Sequence, residues 1–429
     1  MRMSLANSGL AAGKSLEIVC ALGLTLATFS AFPQISIEVA QAATAGETNA
    51  VPRHLDFVAR RGDRFLLEGK LFRVAGVNNH YLPWGSRQDV VRVLDDAVAM
   101  HANVVRTFVA PIIGSLDNTA PTIWDWRSKA DSSNLGVNGA YMAYWDPARH
   151  EMAVNTGPEG LQRIDFIIAE ASKRKLRLII AFLDYWSYTG GAPQMSAWRG
   201  GGGTDSPFFA ENPQTRDDYK QLVRAVVTRV NGLTGVAYKD DPTIFAWELM
   251  NEPDIHPLPL LLAWVKEMAA YVKSLDPDHL LASGQGSVQT KLAELRIPDI
   301  DFGTWHGYPA YQGVAPETFS AQILHYCDAA KAYGKPVVLE EFGVARSNPT
   351  RAEIYRSWLA TIQSNANCAG WLVWRLVARQ DSNEYPADDH DQFDIHDDAS
   401  PVWSVLKTAA LSLTSTAGRR GIAADEQAR

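Results

Sequence analysis

Eight short apolar runs rich in β-branched residues recur along the chain, with longer segments of helical period between them. They are RVAGVNN, NVVRTFV, LRLIIAFLD, TIFAWELMNE, LLASGQ, DFGTWHGYP, PVVLEEFG and GWLVWRL. Strands with apolar residues at nearly every position belong to parallel sheets covered on both faces. Eight of them, nearly all followed by a helical segment, predict a single-domain (β/α)8 TIM barrel over residues 55–413. Two long inserts, from about Pro111 to Pro158 and from about Tyr185 to Pro213, follow strands two and three. Both therefore lie at the C-terminal mouth, where barrels build their sites. A doubly wound open sheet would want a glycine-rich phosphate loop after an early strand, and none is present.

Residues 1–42 read as a signal peptide. Arg2 and Lys14 supply positive charge, Ile18 to Phe32 is apolar, and Ala40-Gln41-Ala42 is a small-x-small cleavage site. A linker (43–54) follows, a disordered tail is expected over 414–429, and the protein is expected to be secreted or periplasmic. In such a compartment Cys327 and Cys368 either close one disulfide or stay as two buried thiols. The net charge of −8, with no basic block, argues against nucleic acid, and no later run is long enough to span a membrane. Thirteen tryptophans, among them Trp84, Trp186, Trp198, Trp305 and Trp374 near element ends, suit the walls of a sugar-binding groove. The tract Ala387 to Asp398 lacks the spacing of a calcium loop and reads as a solvated acidic loop.

The strand ends collect polar groups: Asn78-Asn79-His80, Arg106, Asn251-Glu252-Pro253, His306 with Tyr308, Glu340-Glu341-Phe342-Gly343, and Trp374. Two carboxyl groups facing each other across a barrel mouth are what hydrolysis of a glycosidic bond needs: one to protonate the leaving oxygen, one to attack the anomeric carbon or direct a water. Glu252 and Glu341 are the candidates. Glu248 shares the facing of Glu252 but lies about 13 Å deeper at about 3.3 Å per residue, so a buried pairing with a barrel cation is expected of it. Glu340, next to Glu341, should point to the opposite face.

Asn251-Glu252-Pro253, Glu341-Phe342-Gly343, His306-x-Tyr308, Arg106 and Trp374 resemble the signatures of glycoside hydrolase family five, a retaining (β/α)8 family. RVNGLTGVAYKDDPTIFAWELMNEP, WSYTGGAPQMSAW and VNNHYL are similar to blocks of its endo-β-1,4-mannanases. The resemblance implies Glu252 as acid/base, with its pKa raised, and Glu341 as an ionised nucleophile beside Arg106 and Tyr308. It also implies substrate contacts from Asn79, Arg106, Trp186, Asn251, His306, Tyr308 and Trp374. No metal or organic cofactor is required, and a monomer acting on β-linked polysaccharide is expected. A β-glucan-cleaving, exo-acting or transglycosylating enzyme of the same family is the alternative. A non-catalytic carbohydrate-binding barrel would keep the tryptophans but lose one carboxylate, and both are present.

Overall fold

The computed structural model describes residues 57–426 apart from 124–131, 134–135, 203–205, 287–291, 387–391 and 399. The leader and the linker lie outside the described residues. Eight parallel strands form one sheet: β1 (Val74–Asn78), β2 (Val104–Phe108), β3 (Arg177–Ala181), β4 (Ile244–Glu248), β5 (Leu280–Ala282), β6 (Gly303–Gly307), β7 (Val337–Phe342) and β8 (Cys368–Val373). Their order is β5-β4-β3-β2-β1-β8-β7-β6. The seam between β5 and β6 is closed by single bonds: Asp301 N–H to Leu281 O at 2.8 Å, Leu281 N–H to Asp301 Oδ2 at 3.0 Å, and His306 N–H to Gly286 O at 3.1 Å. The expected barrel is therefore complete, with its seam at the shortest strand.

Alternation along each strand sorts side chains into two cores. Ala75, Val77, Val105, Ile180 and Trp247 point outward, where the helices cover them. Val74, Val104, Ile179, Ala246 and Val338 point inward and pack with Phe65, Phe245 and Phe302. Phe65 comes from the N-terminal hairpin (Arg64–Leu67 with Lys70–Phe72) and meets Phe245 and Phe302 edge-on at 5.1 and 5.3 Å. The barrel axis is thus apolar and plugged at one end. Further along the same inward-facing rows, two residues on for Arg106, Glu248 and Glu340 and four for Asn78, stand these four polar side chains, all buried.

Helices over Arg87–Ala99, Leu161–Lys173, Pro213–Val227, Leu258–Leu275, Phe319–Tyr333 and Arg351–Ser364 surround the sheet. After β5 the described residues hold only the short 3-10 turn Ala293–Arg296. The two inserts brace each other: Trp198 Nε1–H donates to Ile113 O at 3.1 Å, and Gln194 accepts from Ile123 N–H at 2.7 Å. The last helix runs Pro401–Glu426, so the tail expected to be disordered from 414 continues as helix, with no proline to stop it. Among the described residues, no helix is long and apolar enough to cross a membrane.

Cys327 and Cys368 are joined, tying the helix Phe319–Tyr333 to the start of β8. The bridge spans 41 residues, and a loop of that length constrains the unfolded chain by about 4 kcal/mol. Replacing both cysteines with serine should lower stability by about that amount, with kcat at a temperature well below the melt unchanged. Equal denaturation midpoints would contradict this.

Candidate active site

Arg106 is the hub of the polar end. It is fully buried, and its guanidinium grips Glu248 with two bonds, Nε to Oε2 at 2.7 Å and Nη2 to Oε1 at 2.6 Å. Nη1 donates to Glu341 Oε1 at 2.6 Å and to Asn78 Oδ1 at 3.1 Å, while Nη2 also donates to Asn251 Oδ1 at 2.7 Å. Burial alone would favour a neutral Arg106; Glu248 and Glu340 reverse that and hold its pKa well above the ordinary value. A fixed cation at 2.6 Å anchors Glu341 in position.

The second oxygen of Glu341 accepts from the Tyr308 hydroxyl at 2.7 Å, and Tyr308 is stacked on Phe393 at 5.3 Å. Phe393, Asp394 and Ile395 are buried, and Asp394 pairs with Arg375 at 2.8 Å. The acidic tract read as solvated therefore turns its middle inward to back Tyr308, because those residues include two large apolar side chains.

Glu252 stands across the mouth. Its Oε1 is 2.6 Å from His306 Nδ1, and its Oε2 accepts from Trp186 Nε1–H at 2.6 Å. β4 ends at Glu248, and Glu252 itself adopts a left-handed backbone with φ of 49°. The chain is no longer extended there, so the 13 Å depth expected between Glu248 and Glu252 does not apply: His306 and Arg106, which both face Glu341, join the two carboxyls in one network. Gly286 makes room for it. A Cβ there would stand 2.7 Å from His306 Nδ1 and 2.9 Å from Glu252 Oε1.

One oxygen of Glu252, one of Glu341 and a ring nitrogen of His306 lie within 4.8 Å of one another. These three could in principle hold a cation. Their carboxylate oxygens, however, already face the protein donors Arg106, Tyr308, Trp186 and His306.

The protonation pattern differs from the expected one. His306 is buried, which lowers its pKa, but Glu341 and Glu252 outweigh this and raise it from 6.5 to about 10. Burial pulls Glu252 up, yet the His306 charge and hydrogen bond bring it below the ordinary carboxylate value. Glu341 is raised, burial outweighing His306 and Arg106. The expectation of a raised Glu252 beside an ionised Glu341 is thus not met, since His306 sits nearer Glu252 (2.6 Å) than Glu341 (3.4 Å). For stability the sign is that of a raised histidine: protonated His306 contributes fully below its unfolded value of 6.5, and the contribution disappears as pH rises through about 10.

Arg106, Asn251, Glu252, His306, Tyr308, Glu341 and Trp186 are brought together as expected, and Trp186 is 40% exposed at the rim. Trp374 lies half-buried beside them, its ring stacked on His80 at 5.1 Å. Asn79 is a correction. It is fully buried, and its Oδ1 accepts from the backbone of Tyr81 and Leu82 while Nδ2 donates to Leu376 O. It shapes the loop after β1 and is not open to substrate; its neighbour Asn78 faces the axis instead. Trp84, Trp198 and Trp305 are also buried, so they are packing residues.

Glu340 is the second correction. It is fully buried on the axis, 3.6 Å from Arg106 Nε and 3.5 Å from His306 Nε2. The β6–β7 register passes from Trp305↔Leu339 to His306↔Glu341, which leaves Glu340 as an extra, bulged residue. Val338 already points inward, so Glu340 follows it, and the bulge turns Glu341 to the same side. Asp184, missed as a site residue, accepts from Asn251 Nδ2 at 2.9 Å and fixes the amide so that its oxygen faces Arg106.

The geometry meets independent likeness to known proteins. The family model described as GH family 5 beta-mannosidase-like matches residues 157–369. Mannan endo-1,4-beta-mannosidase 1 of Solanum lycopersicum is 31% identical over 365 residues, covering 75% of this chain and 84% of that protein. The chain belongs to glycoside hydrolase family 5. Mannan endo-1,4-beta-mannosidase A of Podospora anserina is 29% identical over 335 residues, 73% of this chain and 80% of that one. Among solved structures, the endo-1,4-beta-mannanase from Rhizomucor miehei superposes with a TM-score of 0.68 at 27% identity, covering 85% of this chain and 99% of that one. As a family 5 member the protein is a glycoside hydrolase built on a (β/α)8 barrel.

Proposed function

We propose that the protein is a retaining endo-β-1,4-mannanase in which Glu341 is the nucleophile and Glu252 the acid/base. The observation that carries this is the approach of the two carboxyl groups to within 4.8 Å. Retaining enzymes hold theirs about 5–5.5 Å apart, whereas inverting enzymes leave about 6.5–9.5 Å for a water. The choice of mannan rests on the named activities of the relatives from tomato and Podospora anserina.

In the first step Glu341 attacks the anomeric carbon, the glycosidic C–O bond breaks, and Glu252 delivers a proton to the leaving oxygen. In the second, Glu252 removes a proton from water, the water oxygen attacks the same carbon, and Glu341 is released. The proton source is the His306–Glu252 hydrogen bond: an imidazolium Nδ1–H at 2.6 Å can pass its proton to Glu252 as a sugar enters. On this reading Asn251 serves the sugar 2-hydroxyl, and Trp186, at the rim, an adjoining sugar. Trp374 offers an apolar face.

Glu252→Ala should cost about 10²–10⁴-fold on polysaccharide and little in the first step on a mannoside with a good leaving group. Equal losses on both substrates would contradict the acid role. Gly286→Ala should cost about 10²-fold in kcat, because its methyl group displaces the Glu252–His306 bond by a fraction of an ångström. Unchanged kcat in Gly286→Ala would show that this bond is not needed.

Substrate choice is tested with mannan, glucomannan, carboxymethylcellulose and aryl mannosides. Faster release of reducing ends from carboxymethylcellulose than from mannan would overturn the mannanase reading. The proposal includes a monomer and its export; the Cys327–Cys368 bridge suits an oxidising compartment and so supports export. Native protein that still began at Met1 would contradict cleavage of the leader.

A further inference from the structure

Glu340 poses a question that hydrolysis by Glu252 and Glu341 does not use. Among the described residues, neither of its oxygens has a conventional donor at hydrogen-bonding distance, although both are buried. Facing it are Arg106 from β2 at 3.6 Å, His306 from β6 at 3.5 Å, Glu248 from β4, and Glu341 next in the chain. Asn78 from β1 contacts only its backbone carbonyl, at 2.8 Å.

Two cations therefore serve four carboxyl groups here: Arg106 and His306 against Glu248, Glu252, Glu340 and Glu341. Asp184 stands behind Asn251 as a fifth acid. A buried carboxylate without a donor is unfavourable, and two side by side are more so. The way out available to these atoms is a proton held between Glu248 and Glu340, whose carboxyl oxygens both face Arg106 Nε, at 2.7 and 3.6 Å. Burial raises Glu248 to about 8, in keeping with such a proton, which belongs to both groups together.

We propose that Glu340 is a positioning residue for hydrolysis: it shares one buried proton with Glu248, and that proton leaves the charge of Arg106 free to hold Glu341 ionised and in line. This rests on the reading of Glu341 as nucleophile. When the shared proton is lost, Arg106 faces two further full negative charges on its inner side and stabilises the Glu341 carboxylate less. The bulge at Glu340 is the device that brings this second acid onto the axis.

The test is Glu340→Gln, which can still donate to Glu248 but cannot ionise. The readout is the pH profile of kcat/KM on 2,4-dinitrophenyl β-mannobioside, whose first step needs no proton from Glu252. The wild-type rate should fall as pH rises through about 8, and in Glu340→Gln, where Glu248 has no second acid to share a proton with, that fall should vanish. A wild-type profile flat across this range, or the same fall in both proteins, would overturn the proposal.

If Glu340→Gln does not fold, infrared spectroscopy of the wild type serves. A buried protonated carboxyl band should bleach over the same pH range and persist in Glu252→Ala; its absence would overturn the proposal. A Glu341→Ala protein that still turned over would instead overturn the nucleophile assignment, whatever the Glu340→Gln profile.

Discussion

Glu341→Ala is expected to lower kcat by about 10⁴-fold or more, equivalent to about 5.5 kcal/mol of lost transition-state stabilisation. No other carboxyl can replace it. Glu252 lies on the far side of the mouth and is engaged by His306 and Trp186, and Glu340 and Glu248 sit deeper, against Arg106. The alanine also leaves a small space beside Arg106 and Tyr308, both of which donated to the lost carboxylate. Azide can enter that space and attack the anomeric carbon of a mannoside with a good leaving group. Recovery of rate with azide, and a glycosyl azide of inverted configuration, would identify Glu341 as the nucleophile. Full activity of a folded Glu341→Ala protein would remove it from that role.

Arg106→Ala should have the largest effect on stability. Breaking a buried ion pair by removing one partner costs about 3–5 kcal/mol, because the other charge is left without compensation. Here the loss strands Glu248, Glu340 and Glu341 together and frees Asn78 and Asn251 from the same guanidinium. Chemical denaturation should show a lower midpoint, and the remaining folded protein should be nearly inactive, since Glu341 loses both its anchor and its nearest positive charge. Lysine should not rescue it, having no planar fork to meet Glu248 with two bonds while reaching Glu341. A midpoint within about 1 kcal/mol of wild type would mean that the buried acids simply take up protons.

The eight strands were legible because a sheet covered on both faces needs apolar residues at nearly every position, and because polar residues gather where the inward rows reach the mouth. Glu252 and Glu341 stood out for the same reason. The rest depended on single-residue register, which pattern alone does not carry. Asn78 and Asn79 are adjacent and identical, and only the exact end of β1 decides which faces the axis. Glu340 was assigned outward by strict alternation, and a bulge opposite His306 overrode it. The depth of Glu252 departs from expectation for a related reason: extended geometry stops at Glu248, and Glu252 has a left-handed backbone, so Glu248 and Glu252 share one network. The pKa of Glu252 was not legible at all, because it depends on which ring atom of His306 lies 2.6 Å away. Phe393 and Asp394 were hidden within an acidic run whose charges dominate its appearance.

The central claim, that Glu252 and Glu341 work as a double-displacement pair, is tested most directly by proton NMR of the first product released from a β-1,4-manno-oligosaccharide. The carboxyl approach of 4.8 Å or less predicts that the β-anomer forms first and then mutarotates towards equilibrium. Appearance of the α-anomer first would mean direct attack by water, and the assignment of Glu341 as a nucleophile would be wrong.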